Sequence, residues 1–177
     1  MNTPYETKKC ECCGQTTEVL YPLDKGSVDI VRAMAVGIRN KGINVIHPHK
    51  ELSVGKKEFS RERMLRDGSM TFTMLNNMIR PHKHGLIAKV KKFRGEDVGR
   101  GNWCLTDKGI AFLKGEAVPK FVIQSKQTKI NVGYLELPVV TINELIRGDK
   151  EYWEGIDYEI SEGNVVKNKQ EPQGALL

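Results

Sequence analysis

Three of the four cysteines in this chain lie close together near its N-terminus, in the run Cys10-Glu11-Cys12-Cys13-Gly14. Two residues separate Cys10 from Cys13, a spacing that lets both thiolates face one tetrahedral metal ion, and Gly14 permits the tight turn that this requires. The spacing therefore predicts half of a zinc site. The alternative is that these cysteines are free thiols in a flexible N-terminus, since so crowded a set does not form a disulfide framework.

A closed zinc site needs two further ligands. His47 and His49 are the leading candidates, because a strand that ends at Pro48 would present both side chains. We predict that a zinc ion held by Cys10, Cys13, His47 and His49 is structural and ties the N-terminal segment to the rest of the domain. The alternative ligands are Cys12, His82, His84 and Cys104.

The other histidines and the fourth cysteine also have simpler interpretations. His82 and His84 stand on either side of Lys83, close behind Pro81, and we expect them to contact phosphate, cap backbone groups or fill the core. Cys104 belongs to a predicted strand, where a small buried thiol is the expected role.

The middle of the chain is basic, whereas a later region is acidic. Residues 55–100 hold twelve Lys or Arg residues against five Asp or Glu residues, and residues 147–163 hold six acidic residues against two basic ones. Neutralisation of the phosphate backbone supplies most of the non-specific affinity of a protein for nucleic acid, so a basic middle favours such a partner. A solvated, lysine-rich face is the alternative.

Residues 84–123 predict the element that would carry this charge. Residues 86–93 mix apolar and basic side chains in near-alternation, as a half-buried strand does. Residues 94–101 contain three glycines and predict a loop, and residues 102–105 resume an extended pattern. Thr106 can then cap a helix over 107–114. The cations of this hairpin predicted to contact phosphate are Lys89, Lys91, Lys92, Arg94 and Arg100.

Three helices are predicted before the hairpin. Ser27 caps the first, which ends at Gly42; a short strand follows at 43–46; and the second helix covers 56–67. After a turn at Gly68, Ser69 caps the third helix, which Pro81 stops. Helix, helix, helix, hairpin and helix is the order of a winged helix-turn-helix domain, in which the recognition helix enters the major groove.

The outward face of the third helix follows by elimination from its apolar stripe. Asn pairs bidentately with adenine, and Arg with guanine or phosphate, so this face could contact DNA. The alternative is that the Asn and Thr side chains only face solvent and that Arg80 caps the end of the helix. The residues on this face are Thr71, Thr73, Asn76, Asn77 and Arg80.

The predicted fold class is α+β: a winged helix-turn-helix core with an N-terminal zinc-binding segment and a C-terminal β-hairpin plus short helix. The predicted boundaries are 1–26 for the CxxC segment, 27–123 for the winged-helix domain, 124–164 for the hairpin and helix extension, and 165–177 for a disordered tail. No apolar run is long enough to span a membrane and no signal peptide is recognisable, which predicts a cytoplasmic protein. Phosphate-loop, nucleophile and paired-carboxylate motifs are missing from the sequence, so we predict a protein that is not an enzyme.

Residues 101–116, GNWCLTDKGIAFLKGE, and 118–121, VPKF, resemble a poorly characterised group of small phage and prophage proteins. In that group a tryptophan-containing strand, an LT.KG..F..G pattern and a PK strand recur, together with an N-terminal CxxC, a helix around a RAM stretch and a histidine at a strand end. Residues 32–34 and 46–49 are similar to the last two features. The resemblance covers roughly residues 10–123 and implies a zinc-bearing winged-helix phage protein in the cytoplasm of the host cell.

Two functions of different classes are compatible with these features. The first is a regulator that binds double-stranded DNA through its recognition helix and basic hairpin. The second is a phage anti-defence protein, similar to an anti-CRISPR, that binds a host nuclease effector. In that case the acidic region 147–163 would face the basic nucleic-acid channel of the nuclease, as phosphate does.

Overall fold

The computed structural model describes residues 6–146 of the chain, and within them it confirms the predicted α+β mixture of helices and strands. The helices are α1 Lys25–Lys41, α2 Pro48–Glu51, α3 Arg61–Asp67, α4 Phe72–Asn76, α5 Ile79–Lys83, α6 Asp107–Leu113 and α7 Ile142–Leu145. The strands are β1 Glu18–Pro22, β2 Ile87–Phe93, β3 Glu96–Leu105, β4 Val118–Pro119, β5 Phe121–Ser125, β6 Asn131–Tyr134 and β7 Val139–Val140. The acidic region 147–163 and the predicted disordered tail 165–177 lie outside the described residues. None of the helices in the described range is long and apolar enough to cross a bilayer.

Helix α1 lies at the centre of the fold, and every residue from 30 to 38 is buried. Its N-cap is Asp24, whose carboxylate accepts a hydrogen bond from the backbone N–H of Ser27 at 2.7 Å. The prediction that Ser27 caps this helix is therefore wrong: Ser27 lies within the first turn and donates its hydroxyl to the same carboxylate. The predicted end at Gly42 is confirmed, since this residue takes the left-handed conformation, with a φ of 78°, that commonly ends a helix.

The predicted third helix is divided into α4 and α5. Thr71, not Ser69, caps α4 by accepting a hydrogen bond from the backbone N–H of Met74. Pro81 does not stop the helix, because it occupies the third position of α5. Proline is tolerated there, since the backbone N–H groups of a first turn have no partner within the helix. The second predicted helix is shorter than expected and begins after its cap, Ser60.

Strands β2 and β3 form an antiparallel hairpin whose turn is tighter than predicted. Arg94 and Gly95 both have positive φ angles, 51° and 85°, as a two-residue hairpin turn of type I′ requires. The chain is extended again from Glu96, so most of the predicted loop at 94–101 is strand. The predicted strand at 43–46 is reduced to one bridge, in which Ile46 and Trp103 exchange backbone hydrogen bonds of 2.9 and 2.8 Å.

A second, three-stranded sheet has the strand order β1-β5-β6. Its β5-β6 hairpin and the short helix α7 were both predicted from the sequence, and both are confirmed. One apolar core joins α1 with residues from α3, the α4-α5 pair, the β2-β3 hairpin, α6 and α7. The β2-β3 hairpin is thereby fixed to the helices at one end, while its turn is exposed.

Candidate functional site

The three N-terminal cysteines lie on one tight turn before β1. Lys9 pairs with Thr16, the backbone N–H of Cys10 donates to Gln15 at 2.7 Å, and Gly14 donates back to Cys10 at 2.8 Å. Gly14 has a φ of 69°, which closes the turn. The three thiol sulfurs of Cys10, Cys12 and Cys13 lie within 4.8 Å of one another and could hold a metal ion.

Hydrogen bonding within this turn prepares one thiol for metal binding. The sulfurs of Cys10 and Cys12 are 2.9 Å apart. The Cys12 thiol, together with the backbone N–H groups of Cys12 and Cys13, stabilises the thiolate of Cys10 and lowers its pKa to about 7. The same interaction raises the pKa of Cys12. Because a thiolate is the form that binds metals, Cys10 is the first ligand available at neutral pH.

The structure brings Cys10 and Cys13 together as predicted, but it adds Cys12 and leaves the predicted histidines elsewhere. Pro48 does not end a strand; it begins α2, so that His47 is the N-cap and His49 lies within the helix. The ring of His47 lies over Gly101 on β3, where a Cβ atom would come within 2.6 Å of Nε2. His49 is exposed. The four-ligand set with His47 and His49 is therefore not assembled in the structure.

The alternative ligands in the second half of the domain are also occupied elsewhere. Nδ1 of His82 lies 3.0 Å from the carbonyl oxygen of Ile87, and its ring meets Trp103 edge-on with the ring centroids 5.4 Å apart. Cys104 is fully buried, as expected, and burial raises the pKa of its thiol to about 11. These side chains stabilise the fold.

His84 is buried in the core with only 1% of its surface exposed, and neither of its ring nitrogens forms a hydrogen bond of good geometry with a residue in the range 6–146. Burial, helped by the nearby ammonium group of Lys108, lowers its pKa to about 4 from an ordinary value of 6.5. The backbone of Tyr21 and Pro22 and the carboxylate of Asp24 oppose this shift only in part. The folded protein therefore keeps His84 neutral in a pH range where the unfolded chain would protonate it.

We expect the lowered pKa of His84 to reduce the stability of the folded protein as the pH falls. Above pH 6.5 His84 is neutral in both states, whereas between pH 6.5 and 4 the unfolded chain binds the additional proton. The free energy of unfolding should therefore fall by about 2 kcal/mol between pH 7.5 and pH 5. The pKa values of Asp24, Glu51 and Asp67 are lowered in the folded protein, so the stability that these carboxylates contribute is lost only as the pH falls through their ordinary values, 3.8 for Asp and 4.5 for Glu, and below.

Urea unfolding at the two pH values measures the effect. His84→Phe should make the stability nearly independent of pH in this range, whereas His49→Phe, at an exposed position, should leave the dependence intact. If the stability of the His84→Phe variant depended on pH as strongly as that of the unaltered protein, another titratable group would be responsible.

The predicted basic residues of the β2-β3 hairpin all lie on its surface. Lys89, Lys91, Lys92, Arg94 and Arg100 are all exposed. Lys89 extends over the ring of Trp103, with its Nζ atom 5.4 Å from the centroid, and the same ring contacts His82 of α5. The basic strand thus lies beside the α4-α5 pair. Lys91, Lys92 and Arg100 form no ion pair with any residue in the range 6–146.

The predicted outward residues of the third helix divide into two groups. Thr73 and Asn76 are exposed. Thr71 caps α4, Asn77 donates its side-chain N–H to the carbonyl of Thr73 at 3.0 Å, and Arg80 forms an ion pair with Asp24 at 2.8 Å. The last three side chains are therefore engaged within the fold. Asp24 connects α1 and α5 by capping one helix and pairing with the other.

Two large apolar residues of the α4-α5 pair are exposed, and neither was predicted to be. Phe72 is 68% exposed and Ile79 is 44% exposed. The apolar spacing of the predicted third helix placed Ile79 inward, and that placement is wrong, because the division of the helix into α4 and α5 leaves Ile79 exposed.

Comparison of the chain with protein-family models, with curated proteins and with solved structures gives no match.

Proposed function

We propose that this chain is a non-enzymatic, phage-type winged-helix protein that binds double-stranded DNA through the basic β2-β3 hairpin and the α4-α5 pair. In this proposal α1, α3 and the α4-α5 pair correspond to the three helices, and the hairpin is the wing. The bridge between Ile46 and Trp103 supports this assignment, because it pairs the segment that follows α1 with β3 at one position. The tight turn at Gly68 between α3 and α4 supports it as well.

The observation that carries the proposal is the charge of the hairpin. Its exposed cations include Lys91, Lys92 and Arg100, which have no carboxylate partner within the described part of the chain. Cations that a fold leaves unpaired remain available to neutralise phosphate and release counterions. Lys89 and His82 both contact the ring of Trp103. Because His82 belongs to α5, the charge of the hairpin lies next to the α4-α5 pair.

The salt dependence of duplex binding tests the proposal. The affinity for a short DNA duplex, measured by fluorescence anisotropy, should fall steeply between about 50 and about 200 mM salt. The double variant Lys91→Glu, Lys92→Glu should bind at least about tenfold more weakly and reduce the salt slope by about 2, since two phosphate contacts are lost.

A control with the same change in net charge separates local contacts from overall attraction. Lys114 and Lys126 are exposed on other elements, so Lys114→Glu, Lys126→Glu should lose much less affinity. Absence of binding at low salt, or equal losses in the two double variants, would contradict the proposal.

The proposal includes a zinc ion at the three-cysteine turn. Zn²⁺ is borderline soft and is commonly bound by thiolates, and the sulfurs of Cys10, Cys12 and Cys13 are close enough to share one ion. Metal analysis of protein purified without added zinc should find about one equivalent, which Cys10→Ser, Cys13→Ser should remove.

A second candidate function is the inhibition of a host nuclease, in the manner of an anti-CRISPR. The exposed side chains of Phe72 and Ile79 favour it, because large exposed apolar residues are typical of protein interfaces. A complex with a purified nuclease effector that survives the hairpin charge reversals but is lost in Phe72→Ser, Ile79→Ser would establish this function. Leu137→Ser is the matched control, since Leu137 is 70% exposed in the connection between β6 and β7.

A further inference from the structure

The chain contains only eight residues with a sulfur or nitrogen side chain suited to zinc, four cysteines and four histidines. Three of the cysteines form the N-terminal cluster. The other five are all among the described residues, and none has a ligand atom within the cluster. Cys104 and His84 are buried in the core, His82 contacts Trp103, and His47 lies over Gly101.

Carboxylates do not complete the cluster within the described range either. Glu11 belongs to the same turn, but its oxygens are not part of the group formed by the three sulfurs. Cys12 and Cys13 are exposed and Cys10 is half-buried, so the cluster lies at the protein surface. Structural zinc sites have four protein ligands, whereas sites with three leave a coordination position for water or another ligand.

We propose that Cys10, Cys12 and Cys13 form a three-thiolate site for a thiophilic d10 cation, Zn²⁺, with its fourth position open to a soluble ligand. This inference rests on the metal that the proposed function includes, and it changes the role of that metal. Cys12 becomes a direct ligand, and the ion is exchangeable, not a closed structural centre.

The position of the turn in the fold supports an exchangeable ion. Backbone hydrogen bonds among Cys10, Gly14 and Gln15 close the turn. The connection to the rest of the fold runs through Lys8, whose N–H donates to Glu18 at 3.3 Å, and through Thr17. None of the three cysteines contributes to the apolar core. Removal of the ion should therefore leave the midpoint of thermal unfolding almost unchanged, unlike that of domains whose folding depends on zinc.

Cobalt substitution tests the open position, because Co²⁺ reports its ligands through its visible and near-ultraviolet absorption. The full-length protein should bind one equivalent of Co²⁺, with sulfur-to-cobalt charge-transfer bands, and Zn²⁺ should displace it. Addition of imidazole or of a small thiol should shift the cobalt d–d bands. A site already closed by four protein ligands would not respond, and that result would overturn the inference.

Variants identify the third ligand. Loss of a residue that only hydrogen-bonds a metal ligand lowers metal affinity by about 10- to 100-fold. Cys12 is a direct ligand in this proposal, so Cys12→Ser should weaken Zn²⁺ binding by at least about 100-fold. It should also remove about a third of the charge-transfer intensity. His47→Ala and His49→Ala should change neither quantity.

The possible failures are distinguishable from one another. Absence of any Zn²⁺ or Co²⁺ binding would overturn both this inference and the metal within the proposed function, while DNA binding would be judged separately by its own salt dependence. Binding that is unaffected by Cys12→Ser, or abolished by a histidine variant, would overturn the three-thiolate assignment alone.

Discussion

Gly68→Ala is expected to lower the free energy of unfolding by about 3 kcal/mol, because two unfavourable terms coincide at this position. Gly68 has a φ of 80°, in the left-handed region that costs an L-residue about 1–2 kcal/mol. A Cβ atom there would also lie 2.6 Å from the carbonyl oxygen of Ala33 and 2.8 Å from the backbone nitrogen of Gly37. Both atoms belong to the backbone of the buried helix α1, which cannot yield as a flexible side chain would.

Gly42 provides a matched control for this prediction. Its φ is 78°, nearly the same as that of Gly68, but a Cβ atom added to Gly42 would have no atom of the described residues within 4 Å. Gly42→Ala should therefore carry only the conformational cost, about 1 kcal/mol. Urea unfolding followed by circular dichroism measures both variants, and their difference isolates the contact with α1. An equal loss of unfolding free energy in the two variants would mean that α1 relaxes away from the new methyl group of Gly68→Ala.

This contact matters for the proposed function because Gly68 sets the angle between α3 and α4. The close approach of the turn to α1 holds both helices against the core, and with them the exposed face that includes Thr73 and Asn76. If Gly68→Ala folds at low temperature, we expect weaker duplex binding even though no cation has been removed.

Local signals predicted those parts of the fold that local chemistry determines. Thr106 caps α6 by accepting a hydrogen bond from the N–H of Gly109, and Gly42 ends α1, both as expected. The error at the start of α1 has a physical origin. Lys25 and Gly26 resemble a loop, so the sequence favoured Ser27 as the cap, although the stronger carboxylate acceptor of Asp24 comes first.

Contacts between residues distant in sequence could not be predicted in this way. Nothing in the pattern of residues 46–49 indicates that the ring of His47 lies over Gly101, which removes it from the predicted metal site. The CxxC rule also selected Cys10 and Cys13 and treated the cysteine between them as an alternative. A turn this tight brings all three sulfurs together, which the spacing of two residues does not reveal.

Asp29→Ala is expected to destabilise the protein by about 3 kcal/mol, because this carboxylate forms ion pairs with two guanidinium groups, one on α1 and one on α3. It lies 3.2 Å from Arg32, whose side chain is fully buried, and 2.8 Å from Arg61. Removal of one partner of a buried ion pair weakens the compensation of the charge that stays behind, and such losses are typically about 3–5 kcal/mol. We expect the lower end of that range because Asp29 keeps 19% of its side-chain surface.

The exposed ion pair between Lys41 and Glu51 is the comparison that shows how burial increases the cost of losing one partner of an ion pair. Its two charges are 2.9 Å apart, but each side chain keeps about a third of its surface, 34% and 33%. Lys41→Ala should therefore cost less than about 1 kcal/mol, and high salt should reduce that cost further. The loss in Asp29→Ala should persist at high salt, because the charge on Arg32 is screened much less inside the fold. A loss that disappears in high salt would mean that solvent reaches Arg32, and that Asp29 acts as a surface partner without a role in joining α1 to α3.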